Sequence, residues 1–384
     1  MNFKDFLENK PLYYKEIDHE RVHTAYKMLK PHVAQPRTVH VVGTNGKGST
    51  GRMVAHLAYK SGQSVGHFSS PHIVKFNERI WLNGEDASDE LLEVAHQRLF
   101  VILGDEMSHA LSYFEYTTLL AFVVFEACDI MVLEAGLGGE FDATNVCDKV
   151  LSIITPIGID HQAFLGDTIE EIASTKIRSI QNHLLLAPQV YSEVLDVAEG
   201  ICQNLGAELS LCTWSGAESV SPILAKVANQ KGWSDYLVEN ATVALQALDI
   251  LHIDYDVNDL KSLELFGRFY PLSKNIRIDV GHNPLAAQAI VKALKEPVVL
   301  IYNSLDDKDY ELVLRTLKPK IKRVEIIAID SQRATTLEAI EEALNKLKIS
   351  YSHFNSQMDS NENYLVFGSF YVVERFLKGY NSEK

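Results

Sequence analysis

Residues 40–50 read HVVGTNGKGST. A short β-branched run at 39–42 feeds directly into a turn carrying three glycines, and residues 49–60 then read as a helix. A strand that ends in a glycine turn and restarts as a helix is the repeating unit of an α/β domain with a mainly parallel sheet. The turn itself departs from the common G-x-x-x-x-G-K-[ST] spacing. Val41 stands where the first glycine belongs, and Gly48 separates Lys47 from Ser49. Even so, Gly43, Gly46 and Gly48 let the backbone turn tightly and aim successive N–H groups at one anion. Lys47 adds a mobile positive charge, the helix start adds the positive end of its dipole, and Ser49 or Thr50 can offer a hydroxyl to Mg²⁺. A purely structural turn has no need of a lysine and two hydroxyls among three glycines. A phosphate-binding loop is the expectation.

The same pattern recurs along the chain. Segments 129–134 (DIMVLE) and 150–155 (VLSIIT) read as buried strands that end at polar or glycine residues. In the second half, 276–280, 297–302, 323–329 and 364–367 read as strands, with helices near 284–295, 309–317, 335–347 and 370–378. Glycine and charge around 261–268 mark the seam. With 384 residues the chain is long enough for about two domains. The expected architecture is an N-terminal P-loop-type domain with a mainly parallel sheet (1–265) and a smaller C-terminal Rossmann-like α/β domain (266–384).

Composition narrows the function classes. A formal net charge of −15 lacks the basic field that nonspecific nucleic-acid binding needs. No apolar run approaches the ~18 residues of a membrane span. The best candidate, LLAFVVF at 119–125, is followed by Glu126 and Asp129. The opening MNFKDFLENK lacks the apolar core of a secretory leader, and Cys128, Cys147, Cys202 and Cys212 show no metal or redox spacing. A cytoplasmic protein with reduced thiols is expected, with neither nucleic acid nor membrane as a partner.

Several polar residues fall at strand ends, where ligands of open α/β sheets collect. Glu134 closes DIMVLE ahead of a glycine turn, in the place of a metal-binding carboxylate. His161 follows the 150–155 strand in ITPIGIDHQAFLGDT; Asp160 beside it reads equally well as a turn residue. Lys176 lies on a helical stretch and by pattern alone is a solvated charge. SSPHIVKFNERI (69–80), FGRFYPL (266–272) and IDVGHNP (278–284) gather further hydroxyls, histidines and charges, including Ser70, Arg79, Arg268, Asp279 and His282.

Taken in order, GTNGKGS, SSPHIVKFNERI, EAGLGGEFDATN, IGIDHQAFLGDTIEEIA, NATVALQAL, GRF and DVGHNP resemble the folylpolyglutamate and dihydrofolate synthases of the Mur ligase superfamily. The resemblance runs from about Arg21 to GSFYVVERF near the end of the chain. It implies an ATP-binding central domain over 1–265 and a glutamate ligase domain over 266–384. It implies that Gly46, Lys47, Gly48 and Ser49 hold the ATP phosphates, with Asn240, Arg268 and Asp279 on the nucleotide and His282 near it as a catalytic residue. Ser49, Ser70, Glu134 and His161 become magnesium ligands, joined by Lys176 as a carbamate. The pterin-like substrate is placed near Arg21, Phe114, Glu115, Asp142, Thr144 and Asn145. The implied reaction is ATP-dependent addition of L-glutamate to dihydropteroate or a reduced folate through an acyl phosphate, by a monomer with ATP and Mg²⁺ as cofactors.

Two stretches depart from the family pattern. GLGGRLDATN usually carries an arginine where this chain has Glu140, and an E-K-A-G-I segment is here Thr175-Lys176-Ile177-Arg178-Ser179. Two rival readings are weaker. A muramyl ligase of the same superfamily places a whole sugar-nucleotide domain ahead of the phosphate loop, and the 42 residues before Gly43 are too few for one. A nucleotide switch that has lost ligation rests only on Glu140 and the altered Lys176 segment.

Overall fold

The structure, a computed structural model, describes residues 2–11, 18–213, 216 and 220–382. The chain forms two compact units. The first takes in Met1–Ile157, Thr168–Ser215 and Asn240–Leu263; the second takes in Gly158–Asp167, Gly216–Glu239 and Glu264–Lys384.

The first unit is built on eight strands: β1 (Arg37–Val42), β2 (Val65–Phe68), β3 (Ile80–Leu82), β4 (Glu85–Asp86), β5 (Ile130–Glu134), β6 (Leu151–Ile154), β7 (His183–Leu186) and β8 (Glu208–Leu211). Their spatial order is β4-β3-β2-β5-β1-β6-β7-β8. From β2 to β8 every neighbouring pair is parallel, and the β2–β3 and β3–β4 pairs at one edge are antiparallel. The central strands β5 and β6 are buried along their whole length, which is why they read as continuous apolar runs. Val41 of β1 pairs with Glu134 on one side and Ile153 on the other, so the three strands end at one level.

Helix Tyr113–Phe125 contains the run that came closest to a membrane span. Nearly all of its residues are buried, with Tyr116, Leu119, Leu120, Phe122 and Phe125 in the core beside β2 and β5 residues. A helix enclosed on every side is apolar all round. No helix among the described residues is long and apolar enough to cross a membrane.

The second unit has six strands: β9 (Tyr270–Pro271), β10 (Ile276–Ile278), β11 (Val298–Tyr302), β12 (Ile321–Ile326), β13 (Tyr351–His353) and β14 (Tyr364–Phe367). They lie in the order β13-β12-β11-β14-β10-β9, parallel except for the β9–β10 pair. Helices Pro284–Ala293, Tyr310–Leu317 and Leu337–Leu347 alternate with these strands, and Leu300, Tyr302, Val313, Leu314, Ile340 and Phe367 share one core. Both units are therefore α/β with mainly parallel sheets, as the alternation of strand and helix signals implies.

Element ends differ from the sequence reading by a few residues. The helix after the phosphate loop spans Lys47–Lys60, two residues earlier than expected, because Gly46 (φ 86°) turns the chain at once. β10 stops at Ile278, and Asp279 and Val280 then bond outward to Val366 and Gly267.

Packing in the first unit gives a direct test. Phe125 is fully buried, and its ring fills the space over Gly66 of β2 so tightly that a Cβ there would lie 2.3 Å from the ring. Phe125→Ala is expected to cost about 3–5 kcal/mol. Urea unfolding checks this; an unchanged midpoint would place the ring outside the core.

Candidate nucleotide and substrate site

The phosphate loop is shaped by its neighbours at the ends of β1 and β6. An ideal Cβ on Gly43 would lie 2.0 Å from Thr155 Oγ1, so no side chain fits there. Thr44 and Asn45 both donate their N–H to the Pro156 carbonyl, at 3.0 and 3.1 Å. Gly46 then adopts a left-handed conformation against Asn240, and Lys47, Gly48 and Ser49 open the helix. First-turn N–H groups have no intrahelical acceptor, so they converge on the space before the helix as an anion cradle. Lys47 Nζ folds over the loop, donating to the carbonyls of Gly43 and Thr44 at 3.2 and 3.3 Å. Ser49 Oγ donates to Gly46 O and accepts from Asn240 Nδ2 at 2.8 Å, while Thr50 Oγ1 is buried with no partner among the described residues.

Glu134 ends β5 and is 4% exposed. Its Oε2 accepts from the N–H of Ser70, at 3.2 Å. Segment 69–80 is held by Glu78, whose carboxylate accepts the N–H groups of Ile73, Val74 and Lys75. Arg79 donates through Nη1 to Ser70 Oγ at 3.1 Å and through Nε to His72 Nδ1 at 2.8 Å. His72 can accept because burial, helped by Arg79, lowers its pKa to about 4. Ser70 and Glu134 are thus brought together. No cluster of three or more His, Cys, Asp or Glu suited to a metal occurs among the described residues. Beside the single carboxylate of Glu134, a hard cation here would need hydroxyls, phosphate oxygens and water to complete its shell, as magnesium does.

The residues expected to meet the pterin-like substrate are largely bonded to one another. Arg21 and Glu115 form a bidentate pair at 2.8–3.0 Å. The Phe114 ring lies across Gly136, where a Cβ would approach it to 2.6 Å. Asp142 accepts from the N–H of Leu137 and Thr144 and from Thr144 Oγ1 (2.5 Å), and His40 Nε2 lies 2.8 Å from that hydroxyl. Burial raises the Asp142 pKa against those hydrogen bonds. Asn145 donates to Glu140 O and accepts from Lys149 Nζ. Asp142 and Thr144 face inward and shape the 135–145 loop; Phe141 between them and Glu140 is exposed.

Lys176, which pattern alone reads as a solvated charge, is 4% exposed. Its Nζ donates to the Gly43 carbonyl at 2.9 Å. The resemblance singled out this lysine; amphipathic spacing did not.

In the second unit, Asp160 is a hub. Lys308 Nζ lies 2.6 Å from its Oδ1, Asn283 Nδ2 donates to Oδ2 at 3.2 Å, and His282 Nε2 is 3.6 Å away. Burial opposes its ionisation, yet His282, His161 and Lys308 together hold the carboxyl well below the usual carboxylate range. His161 sits beside this hub with φ 54° and its Nε2 3.4 Å from Lys308 Nζ. Asp279 accepts from Tyr236 OH, Phe269 N and Gly281 N at 2.7–3.0 Å. Burial raises its pKa. The Arg268 guanidinium lies over the Phe370 ring, 5.4 Å from its centre. Sequence reasoning missed Lys308 and Tyr236. Lys308 had a signal, a lysine between two acids beyond the carboxyl end of β11; Tyr236, one helical turn before Asn240, had none.

No family profile matches the chain, and individual relatives carry the assignment. The dihydrofolate synthase/folylpolyglutamate synthase of Haemophilus influenzae is 32% identical, over 89% of this chain and 88% of its own length. The solved folylpolyglutamate synthetase of Helicobacter pylori is 40% identical, with a TM-score of 0.79 covering 99% of this chain and 98% of that one. Escherichia coli FolC, solved in complex with DHPP and ADP, is 29% identical with a TM-score of 0.82, covering 99% and 97%. The chain belongs to the folylpolyglutamate synthase/dihydrofolate synthase family, within the Mur ligase superfamily.

Proposed function

We propose that the chain is an ATP-dependent ligase that joins L-glutamate to dihydropteroate, to folate (poly)glutamates, or to both, in folate biosynthesis. The observation that carries this reading is the open first turn of helix Lys47–Lys60, with Lys47 folded over the loop before it and Ser49 braced by Asn240. The orphaned Thr50 hydroxyl and the Ser70–Glu134 contact, at the end of the strand that pairs with β1, suit a magnesium nucleotide. ATP and Mg²⁺ are the cofactors.

A bare carboxylate is a poor electrophile, and phosphorylation gives it a leaving group. An oxygen of the substrate carboxylate attacks the γ-phosphorus of ATP; the bond to the bridging oxygen breaks and ADP leaves. The glutamate amine attacks the resulting acyl phosphate, the C–O bond to phosphate breaks, and the amine gives up a proton. The protein's part is mainly electrostatic. Gly46, Gly48 and Ser49 present N–H groups to the phosphates, and Lys47 swings from the loop carbonyls onto the transferring group. Magnesium, when bound, neutralises phosphate charge; Ser49, Ser70, Glu134, His161 and carbamylated Lys176 are its proposed ligands. Asn240, Arg268 and Asp279 are assigned to the nucleotide, with His282 near it. Arg21, Phe114, Glu115 and Asn145 are assigned to the substrate, and Asp142 and Thr144 serve it by holding the loop that surrounds it.

We assign residues 1–265 to an ATP-binding central domain and 266–384 to a C-terminal glutamate ligase domain, in a cytoplasmic monomer; an oligomer in light scattering would overturn the last point. Glutamate-dependent ADP release, measured separately with dihydropteroate and with tetrahydrofolate, tests the activity and tells the two substrates apart. No glutamate-dependent release with either one overturns the ligase reading.

Lys47→Ala is expected to lower the ligation rate about 10²–10³-fold, the usual effect of removing one contact to developing charge. Near-normal turnover in the folded variant would remove Lys47 from catalysis. Glu134→Gln is expected to raise the magnesium concentration needed for half-maximal rate, and an unchanged requirement would exclude it as a ligand. Lys176→Ala is expected to be inactive and to recover in part with acetate or propionate, because a carboxylate replaces the carbamate. Full activity without added acid would show that the lysine is dispensable.

A further inference from the structure

The two places where the sequence leaves the family pattern meet in the structure. Glu140 Oε2 lies 3.3 Å from Arg178 Nη1, in an ion pair whose side chains are 29% and 55% exposed. Beneath this pair two backbone segments are in direct contact. The N–H of Glu140 donates to Thr175 O at 2.8 Å. A Cβ on Gly139 would lie 2.5 Å from Lys176 O and 3.0 Å from Lys176 Cα. Ser179 Oγ donates to the same Lys176 carbonyl at 2.8 Å. The loop after β5 therefore presses on the end of helix Ile169–Ile177 at Lys176, whose Nζ reaches the Gly43 carbonyl.

We propose that Glu140 and Arg178 form a charge-matched latch that positions Lys176 against the phosphate loop. It rests on the ligase reading for its catalytic consequence, though not for its effect on nucleotide binding. An ion pair this exposed adds little to global stability. Its effect is local: it clamps two segments whose backbones press together at the residue whose side chain braces Gly43. We assign neither residue a contact with substrate; both act through Lys176 and are positioning residues.

The pair's sign pattern makes the test. Glu140→Arg replaces attraction with repulsion from Arg178, and Arg178→Glu does the same in reverse. Each is expected to lower kcat about tenfold, since like charges destabilise by about as much as opposite charges stabilise. KM for the pteroate or folate substrate should stay within about twofold, because the latch acts through Lys176 and not on substrate binding. The thermal midpoint should move by no more than about 3 °C, the scale of one exposed pair in a chain this long. The exchange Glu140→Arg with Arg178→Glu restores attraction and should regain most of kcat.

Action through Lys176 is tested by a cycle: in a Lys176→Ala background, with propionate present, Glu140→Arg should add no further loss. Calorimetry with ADP and Mg²⁺ gives an arm independent of ligation. Each single reversal should weaken binding up to about fivefold, and the exchange should recover it. Wild-type kcat and ADP affinity in the single variants would overturn the latch. So would failure of the exchange to restore them, or additive loss in the Lys176→Ala background. If the wild-type chain shows no ligation, the ligase reading fails and the ADP arm alone decides the latch.

Discussion

Beyond their last paired residues β1 and β6 remain in contact, and the missing side chain at Gly43 is what allows it. With Gly43 against Thr155, the next two N–H groups both turn onto the Pro156 carbonyl. That spends the donors of Thr44 and Asn45 on structure and leaves those of the helix's first turn for an anion. The Gly43 carbonyl, turned out by the same geometry, meets both Lys47 and Lys176. Both lysine placements follow from one close backbone approach, and the left-handed turn at Gly46 then starts the helix.

How much of this was legible depends on the range of the forces involved. The strands 129–134 and 150–155 and the loop between 43 and 49 could be read because burial on both faces and glycine punctuation leave local marks. β2 was not read, since VGHF is only four residues long and holds a glycine that makes room for Phe125. Helix Tyr113–Phe125 lacks the periodicity of a half-exposed helix because it has no exposed face. The Asp160–Lys308 contact joins residues 148 apart, and no window along the chain contains both. Lys176 shows the limit most plainly: its spacing is that of a surface lysine, and its burial comes from Gly139 and the phosphate loop, which are remote in sequence.

The second unit spends buried charge on geometry. Taking Asp160 and Lys308 out of water costs much of what their attraction returns, so such a pair is a weak source of stability. Its effect is directional. Asp160 accepts from Lys308, Asn283 and the N–H of His161, and so fixes a histidine held at positive φ. Asp279 behaves similarly, gathering Tyr236, Phe269 and Gly281 around one carboxylate. Asp279, which the resemblance offers to a nucleotide, is already coordinating its own neighbourhood, and so is Asp160.

The 135–145 loop carries the same economy further. Asp142 and Thr144 fasten it from within, through His40 on β1, while Phe141 is exposed and Glu140 half-buried. Its contour is set by the inner residues and its outer chemistry by the other two, so the two properties vary independently. The charge at an outward position such as Glu140 can be reversed without moving that frame, provided that of its partner Arg178 is reversed with it. The loop is in effect a fixed mount with interchangeable fittings, and drift in its exposed residues can retune what it meets while the catalytic edge behind it keeps its shape.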